Sequence, residues 1–211
     1  MKRHDALLRT PYAVRMSHWL MVICFFFVSM SGLSWFFPSL NGLNSLLGGP
    51  QLARILHPFM GVAIFLLLTF MFIRLVRYNL PEAGDGKWFA NLGLVLRGEH
   101  SDKLDTGKYN AGQKLLFWGI MGLISLLLIS GMVIWRPYFA PLFSIPTIRV
   151  GLFIHALAGV LLMLLIIGHI YLAFWVKGSV DSMSSGYVSR KWARTHHPRW
   201  FRQVAGKKDA P

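Results

Sequence analysis

No Asp, Glu, Lys or Arg interrupts residues 150–176, a run of 27 residues bounded by Arg149 and Lys177. As an α-helix such a run rises roughly 40 Å, more than the ~30 Å of a bilayer's hydrocarbon core. Three more charge-free runs precede it, within residues 16–53 (apolar as far as Pro38), 55–73 and 115–135. The expected fold class is an all-α integral membrane protein, a four-transmembrane-helix bundle forming one domain over 1–211. Its helices are expected near 17–37, 54–77, 112–136 and 149–177. Composition agrees, with 55% hydrophobic and only 14% charged residues. The first run follows Arg9 and Arg15 as a signal peptide would, but it is too long and lacks a small-x-small cleavage pattern, so it reads as a retained helix.

The net charge of +14 would point to nucleic acid in a soluble protein. Here its placement argues otherwise. Arg54, Arg136 and Arg149 flank one set of helix ends, and the other 19 of the 22 Lys and Arg fall at the N-terminus, in residues 74–114 or after Val176. The positive-inside rule then puts both termini and the middle loop in the cytoplasm. The basic excess is topological, with a secondary attraction to anionic membrane lipid and no nucleic-acid partner. Trp19, Trp118 and Trp175 fall near the inner interface, and Trp35 and Trp135 near the outer one.

Eight histidines occur. His4, His100, His196 and His197 lie in polar segments and are expected to be solvated or to meet lipid headgroups. His18, His57, His155 and His169 lie in or at the ends of apolar spans, where ionisable groups are costly and usually functional. His155 and His169 are fourteen residues apart, which places them on one helix face roughly 21 Å apart, too far for one metal centre. Depth sorts the four into an outer pair, His57 with His155, and an inner pair, His18 with His169. Each pair joins two different helices, as needed to clamp a flat macrocycle through both axial positions. Two stacked, non-covalently held b haems follow from this pattern, the four histidines being the axial ligands of the iron.

Gly61 and Gly159 follow candidate ligands by one turn, Gly168 adjoins His169, and Gly32 stands fourteen residues from His18. Either a porphyrin face or close helix–helix packing accounts for them. All eight acids fall on the cytoplasmic side, so no carboxylate is buried in a span, which argues against an ion-coupled carrier. Cys24 is the only cysteine, so neither an internal disulfide nor a covalent haem attachment is expected.

No nicotinamide or flavin fingerprint appears, so an electron donor and acceptor must come from outside. At the start of the third span stands KYNAGQK, residues 108–114. Its helix N-terminus, with Asn110 and Gln113, suits a quinone carbonyl; alternatively Asn110 caps the helix and Gln113 faces water. Arg54, Arg136 and Arg149 suit haem propionates, a docking subunit, or plain interfacial anchoring.

RILHPF around His57, KYNAGQK, WRPYFAP from Trp135, LFIHA around His155, GHIYLAFWVKGS around His169 and HHPRW near the end are similar to the γ (cytochrome b) subunits of membrane-bound respiratory formate dehydrogenases. The resemblance spans nearly the whole chain; residues 81–105 depart from it. It implies a subunit of the bacterial cytoplasmic (inner) membrane serving anaerobic respiration, with His57 and His155 on the outer haem and His18 and His169 on the inner one. It implies a quinone, menaquinone or ubiquinone, beside Asn110, Gly112, Gln113 and His169. Partners are an iron–sulfur β subunit and a pterin-containing α subunit that oxidises formate, in a trimer of heterotrimers; this chain itself has no catalytic residue. The competing readings are the cytochrome b subunit of a nickel–iron hydrogenase or related reductase and, in another class, a haem-free carrier or anchor.

Overall fold

The computed structural model describes residues 6–97, 105–176 and 178–205. Among the described residues four helices are long and apolar enough to cross a membrane: α1 (Tyr12–Phe36), α2 (Pro50–Leu75), α5 (Ala111–Ile134) and α6 (Ile145–Trp175). Each begins earlier than the charge pattern suggests, so Arg54 and Arg149 lie inside α2 and α6, as the fifth residue of each, rather than before them. These helices are apolar all round, as lipid-facing helices must be. Ile73 and Phe174 are 69% and 71% exposed, which lipid rather than water tolerates. A ten-residue 3₁₀ helix, Pro38–Leu47, follows α1 and closes on Gly48, whose N–H reaches the Ser45 carbonyl at 3.0 Å. Gly48 has φ +78°, open to glycine at little cost, and Pro50 then opens α2, where its missing N–H is harmless.

The chain divides into two compact units. One comprises residues 16–73 and 119–169 and holds most of the four long helices. Its core is Ile64 and Leu68 of α2, Ile124 of α5 and Leu162 of α6, with Cys24 and Phe25 of α1 packed against them. Lipid is as apolar as these side chains, so close packing rather than the hydrophobic effect holds the layer together. Leu162 stands seven residues from His155 and seven from His169, midway between the two histidine levels.

The other unit holds the described parts of residues 1–15, 74–118 and 170–211. Here the all-helical expectation needs a small correction. Strand β1 (Ala6–Leu8) pairs antiparallel with β2 (Tyr187–Ser189), Leu7 opposite Val188. Short helices accompany this ladder: α3 (Ala83–Ala90), α4 (Leu92–Leu96), α7 (Ser179–Ser184), α8 (Arg190–His196) and α9 (Pro198–Ala205). Ser189 caps α8 by accepting the Trp192 N–H at 3.1 Å. Leu7, Val188, Ala193 and Trp200 form the core of this unit. Gly186 turns the chain into β2 at φ +89°, and its carbonyl receives the N–H groups of Arg9 and Thr10.

His197 overturns its expectation. It is not solvated but 2% exposed, at the break between α8 and α9. Its Nδ1–H donates to the Gly107 carbonyl at 2.7 Å, and its Nε2 accepts from Arg9 Nη2 at 3.0 Å. Arg9 Nη2 also donates to the Lys108 carbonyl at 2.7 Å, while the guanidinium lies 4.9 Å from the Trp192 ring and 5.0 Å from that of Trp200. Burial lowers Arg9 to about 10, well above neutrality, so it stays charged. His196 is half-buried with its ring centre 5.0 Å from that of Trp192; His4 and His100 lie outside the described residues.

Burial, and then the nearby Arg9 charge, hold the His197 imidazole neutral, well below its ordinary value. An unfolded histidine titrates near about 6.5, so below that pH the unfolded chain binds a proton that the folded unit refuses. Stability from this site is therefore complete above pH ~6.5 and falls on acidification by up to about 1.4 kcal/mol per pH unit. Thermal melts of the detergent-solubilised protein between pH 7.5 and 5 should show it as a steeper loss in wild type than in His197→Gln, which does not titrate.

Candidate functional site

The helical unit brings the four intramembrane histidines together two by two. His57 of α2 and His155 of α6 have ring centres 6.2 Å apart with planes at 55°. His18 of α1 and His169 of α6 have ring centres 6.5 Å apart at 72°. These separations can be compared with what one metal ion demands. A metal–nitrogen bond of about 2.0 Å, plus about 1.1 Å from a ring nitrogen to its ring centre, puts the centres of two trans imidazoles about 6.2 Å apart. Both pairs stand at that spacing, so both fit a metal held through two axial nitrogens.

The outer pair opens on a cleft of about 1020 Å³. Gly32, Gly61, Gly131 and Gly159 line it, and Arg54, Arg136 and Arg149, all exposed, line it too. The volume suits a large flat cofactor. At Gly131 a Cβ would come within 3.2 Å of His155 Cε1, so the missing side chain is what lets that ring lie against α5. At Gly32 a Cβ would stand 3.9 Å from His57 Cε1, an ordinary contact. The close approach at Gly131, a residue the sequence pattern did not single out, makes room for an imidazole ring.

Two hydroxyls complete the outer pair. Ser31 of α1 lies 2.7 Å from His57 Nδ1, and Ser130 of α5 lies 3.1 Å from His155 Nδ1. The one sequence signal for them was a polar residue in a charge-free span, which must find a partner there. At the inner level His18 Nδ1 is buried without a hydrogen-bond partner.

At the start of α5, Asn110 and Gln113 form a reciprocal cap. Gln113 N–H donates to Asn110 Oδ1 at 2.8 Å, and Asn110 N–H donates to Gln113 Oε1 at 3.0 Å. The capping alternative for Asn110 is thus what the geometry shows, with Gln113 as the second half of the box. Both amide oxygens are engaged, and the cap makes no use of their NH₂ donors. A Cβ at Gly112 would meet Trp88 Cη2 at 2.8 Å, so the indole lies directly against this turn. A small cleft of about 210 Å³ adjoins Asn110, lined also by Asp85, Trp88, Asp105 and Arg199. Lys114, with a side chain 6% exposed, pairs with Asp85 at 3.0 Å and Glu82 at 3.3 Å.

A family model described as prokaryotic cytochrome b561 matches residues 9–186, most of the chain and all four long helices. This chain belongs to the prokaryotic cytochrome b561 family. Membership in a cytochrome b family implies haem b, and with four apolar helices it makes the chain an integral membrane protein. The chain is 50% identical over 204 residues to the cytochrome b556(Fdn) subunit of nitrate-inducible formate dehydrogenase from Escherichia coli strain K12, covering 97% of this chain and 94% of that one. It is 47% identical to the cytochrome b556(fdo) subunit of the same strain, over 97% and 96% of the two chains. A formate dehydrogenase cytochrome b556 subunit from Haemophilus influenzae is 42% identical, over 92% of this chain and 81% of its own. These relatives bear out the resemblance read from the motifs.

In this cytochrome b561-family chain, Gly131→Val should push the His155 ring from α5 and lower the haem retained per purified chain. Gly122→Val, where a Cβ would meet nothing within 4 Å, is the control expected to keep it. Pyridine haemochrome assay of the purified protein measures both.

Proposed function

We propose that the chain is the membrane cytochrome b subunit of a formate dehydrogenase complex, delivering electrons to quinone. The observation that carries this reading is the pair of histidine pairs, each at metal-clamping distance, fourteen residues apart along α6 in a cytochrome b561-family chain. The relatives' names supply the formate dehydrogenase.

His57 and His155 hold the outer haem and His18 and His169 the inner one, in a single di-haem domain spanning 1–211. Bound there, two b haems supply one-electron carriers linking an iron–sulfur subunit on the outer side to a quinone on the cytoplasmic side. Arg54, Arg136 and Arg149 carry positive charge at the cleft of the outer pair, where they offset propionate carboxylates. The quinone site is assigned to the start of α5, where the NH₂ groups of Asn110 and Gln113 remain as donors to a carbonyl oxygen; the family pattern adds Gly112 and His169. Two protons for the reduced quinone come from the cytoplasm.

This topology follows the positive-inside rule, with both termini inside. An electron that traverses the whole field inward works against the usual membrane potential, at a cost of roughly 2.3 kcal/mol per 100 mV. The drop from formate to quinone supplies that cost. Formate oxidation sits on a separate pterin-containing subunit, in the expected trimer of heterotrimers within the bacterial inner membrane.

A reduced-minus-oxidised spectrum with a haem count should give two b haems per wild-type chain and one in His155→Ala. Two haems in the variant would break the pairing. Metal analysis of the co-purified complex should find molybdenum or tungsten; nickel in their place would shift the assignment to a hydrogenase. Gln113→Glu keeps an acceptor for the capping box but removes the NH₂ donor. It should therefore slow quinol formation by roughly 10-fold or more, about 1.4 kcal/mol of lost carbonyl binding, with haem content unchanged. Unchanged quinone kinetics would return Gln113 to a purely capping role.

A further inference from the structure

The two histidine levels are not equivalent. At the outer level each ring is held by a hydroxyl on a neighbouring helix, and the helix itself decides which way the hydrogen bond runs. Ser31 Oγ is 2.9 Å from the Val28 carbonyl and 3.2 Å from that of Phe27. Carbonyls only accept, so the hydroxyl proton goes to the backbone, as is usual for serine within a helix. With the hydroxyl proton on the backbone, the oxygen faces His57 Nδ1 at 2.7 Å as the acceptor of an Nδ1–H. Ser130 repeats the arrangement, donating to the Leu126 carbonyl at 2.6 Å and standing 3.1 Å from His155 Nδ1. Ser31 is 0% exposed and Ser130 4%, so solvent does not compete for either bond. In both rings Nε2 is left bare, the state a metal ligand requires.

We propose that Ser31 and Ser130 are positioning residues for the outer haem: they fix the tautomer and rotation of both axial imidazoles and strengthen them as donors, which lowers that haem's potential below the inner one's. A ligating histidine that donates its other N–H becomes more basic, and a more basic ligand favours the ferric ion. At the inner level His18 Nδ1 has no partner and gains no such strengthening. The resulting order makes the inward step between the two sites downhill. The inference rests on the haem assignment proposed above, and the wild-type haem count tests that assignment before any serine variant is made.

The experiment is a potentiometric titration of the purified complex, followed by visible and electron paramagnetic resonance spectra. The outer component is identified as the one missing from His155→Ala. In Ser31→Ala/Ser130→Ala the outer midpoint should rise by about tenfold in the ferric–ferrous equilibrium, which is about 59 mV for one electron. Its ferric spectrum should change as the rings lose their fixed rotation, while the inner component stays where it was. Ser31→Thr/Ser130→Thr, which retains both hydroxyls, should restore the wild-type midpoint. Loss of the outer haem alone in the alanine variant, regained with threonine, supports the same role. Two bound haems with both midpoints unmoved would overturn the proposal, as would an equal shift of both components. Absence of haem from wild type would instead remove the assignment beneath it.

Discussion

A bilayer core contains no hydrogen-bond partner, so any polar group carried into it must be satisfied by the protein itself. Most of the helical unit answers to that constraint. The four long helices satisfy their own backbones, and Ser31 and Ser130 return their protons to carbonyls a turn earlier. The histidines are the groups left over. At the outer level, where the rings stand 6.2 Å apart, each Nδ1 meets a serine hydroxyl of a neighbouring helix, so neither ring is stranded there.

Outside the apolar spans the same demand is met by a different chemistry. Arg9 is buried with a charge it does not surrender, and it is tolerated because two aromatic faces, a backbone carbonyl and a neutral imidazole surround it. His197 in turn is fixed by the Gly107 carbonyl just ahead of α5. One knot therefore ties the N-terminal strand, the segment that leads into α5 and the C-terminal helices into a single polar unit. Glu82 extends it by pairing with Arg199 of α9 and with the buried Lys114 of α5.

The four spans and the histidine pairs were legible in the sequence because both depend on local quantities. Charge-free length decides a span, and depth from the flanking arginines decides a level. The strand pair was not legible, since Leu7 meets Val188 across nearly the whole chain and three-residue strands have no period to read. His197 misled for a related reason. Its neighbours in the basic stretch ARTHHPRW look solvated until Arg9, far away in the chain, arrives to bury it. Asn110 was legible only as a choice between two roles, because a cap and a ligand donor use different atoms of the same amide. Ser31 and Ser130 were passed over because one serine in an apolar helix is unremarkable until its partner on another helix is known.

The layer of Ile64, Leu68, Ile124 and Leu162 lies between the two histidine levels, with Leu162 about 10 Å along its helix from each. Among the buried side chains of that layer none can take up or release a proton, and only the weakly polar thiol of Cys24 packs beside it. Proton hopping needs a file of hydrogen-bonding groups, whereas electron tunnelling does not. On the function proposed above, the layer is the dielectric of a capacitor crossed by a wire: charge crosses it as electrons, while its buried side chains offer a proton no hydrogen-bonding step.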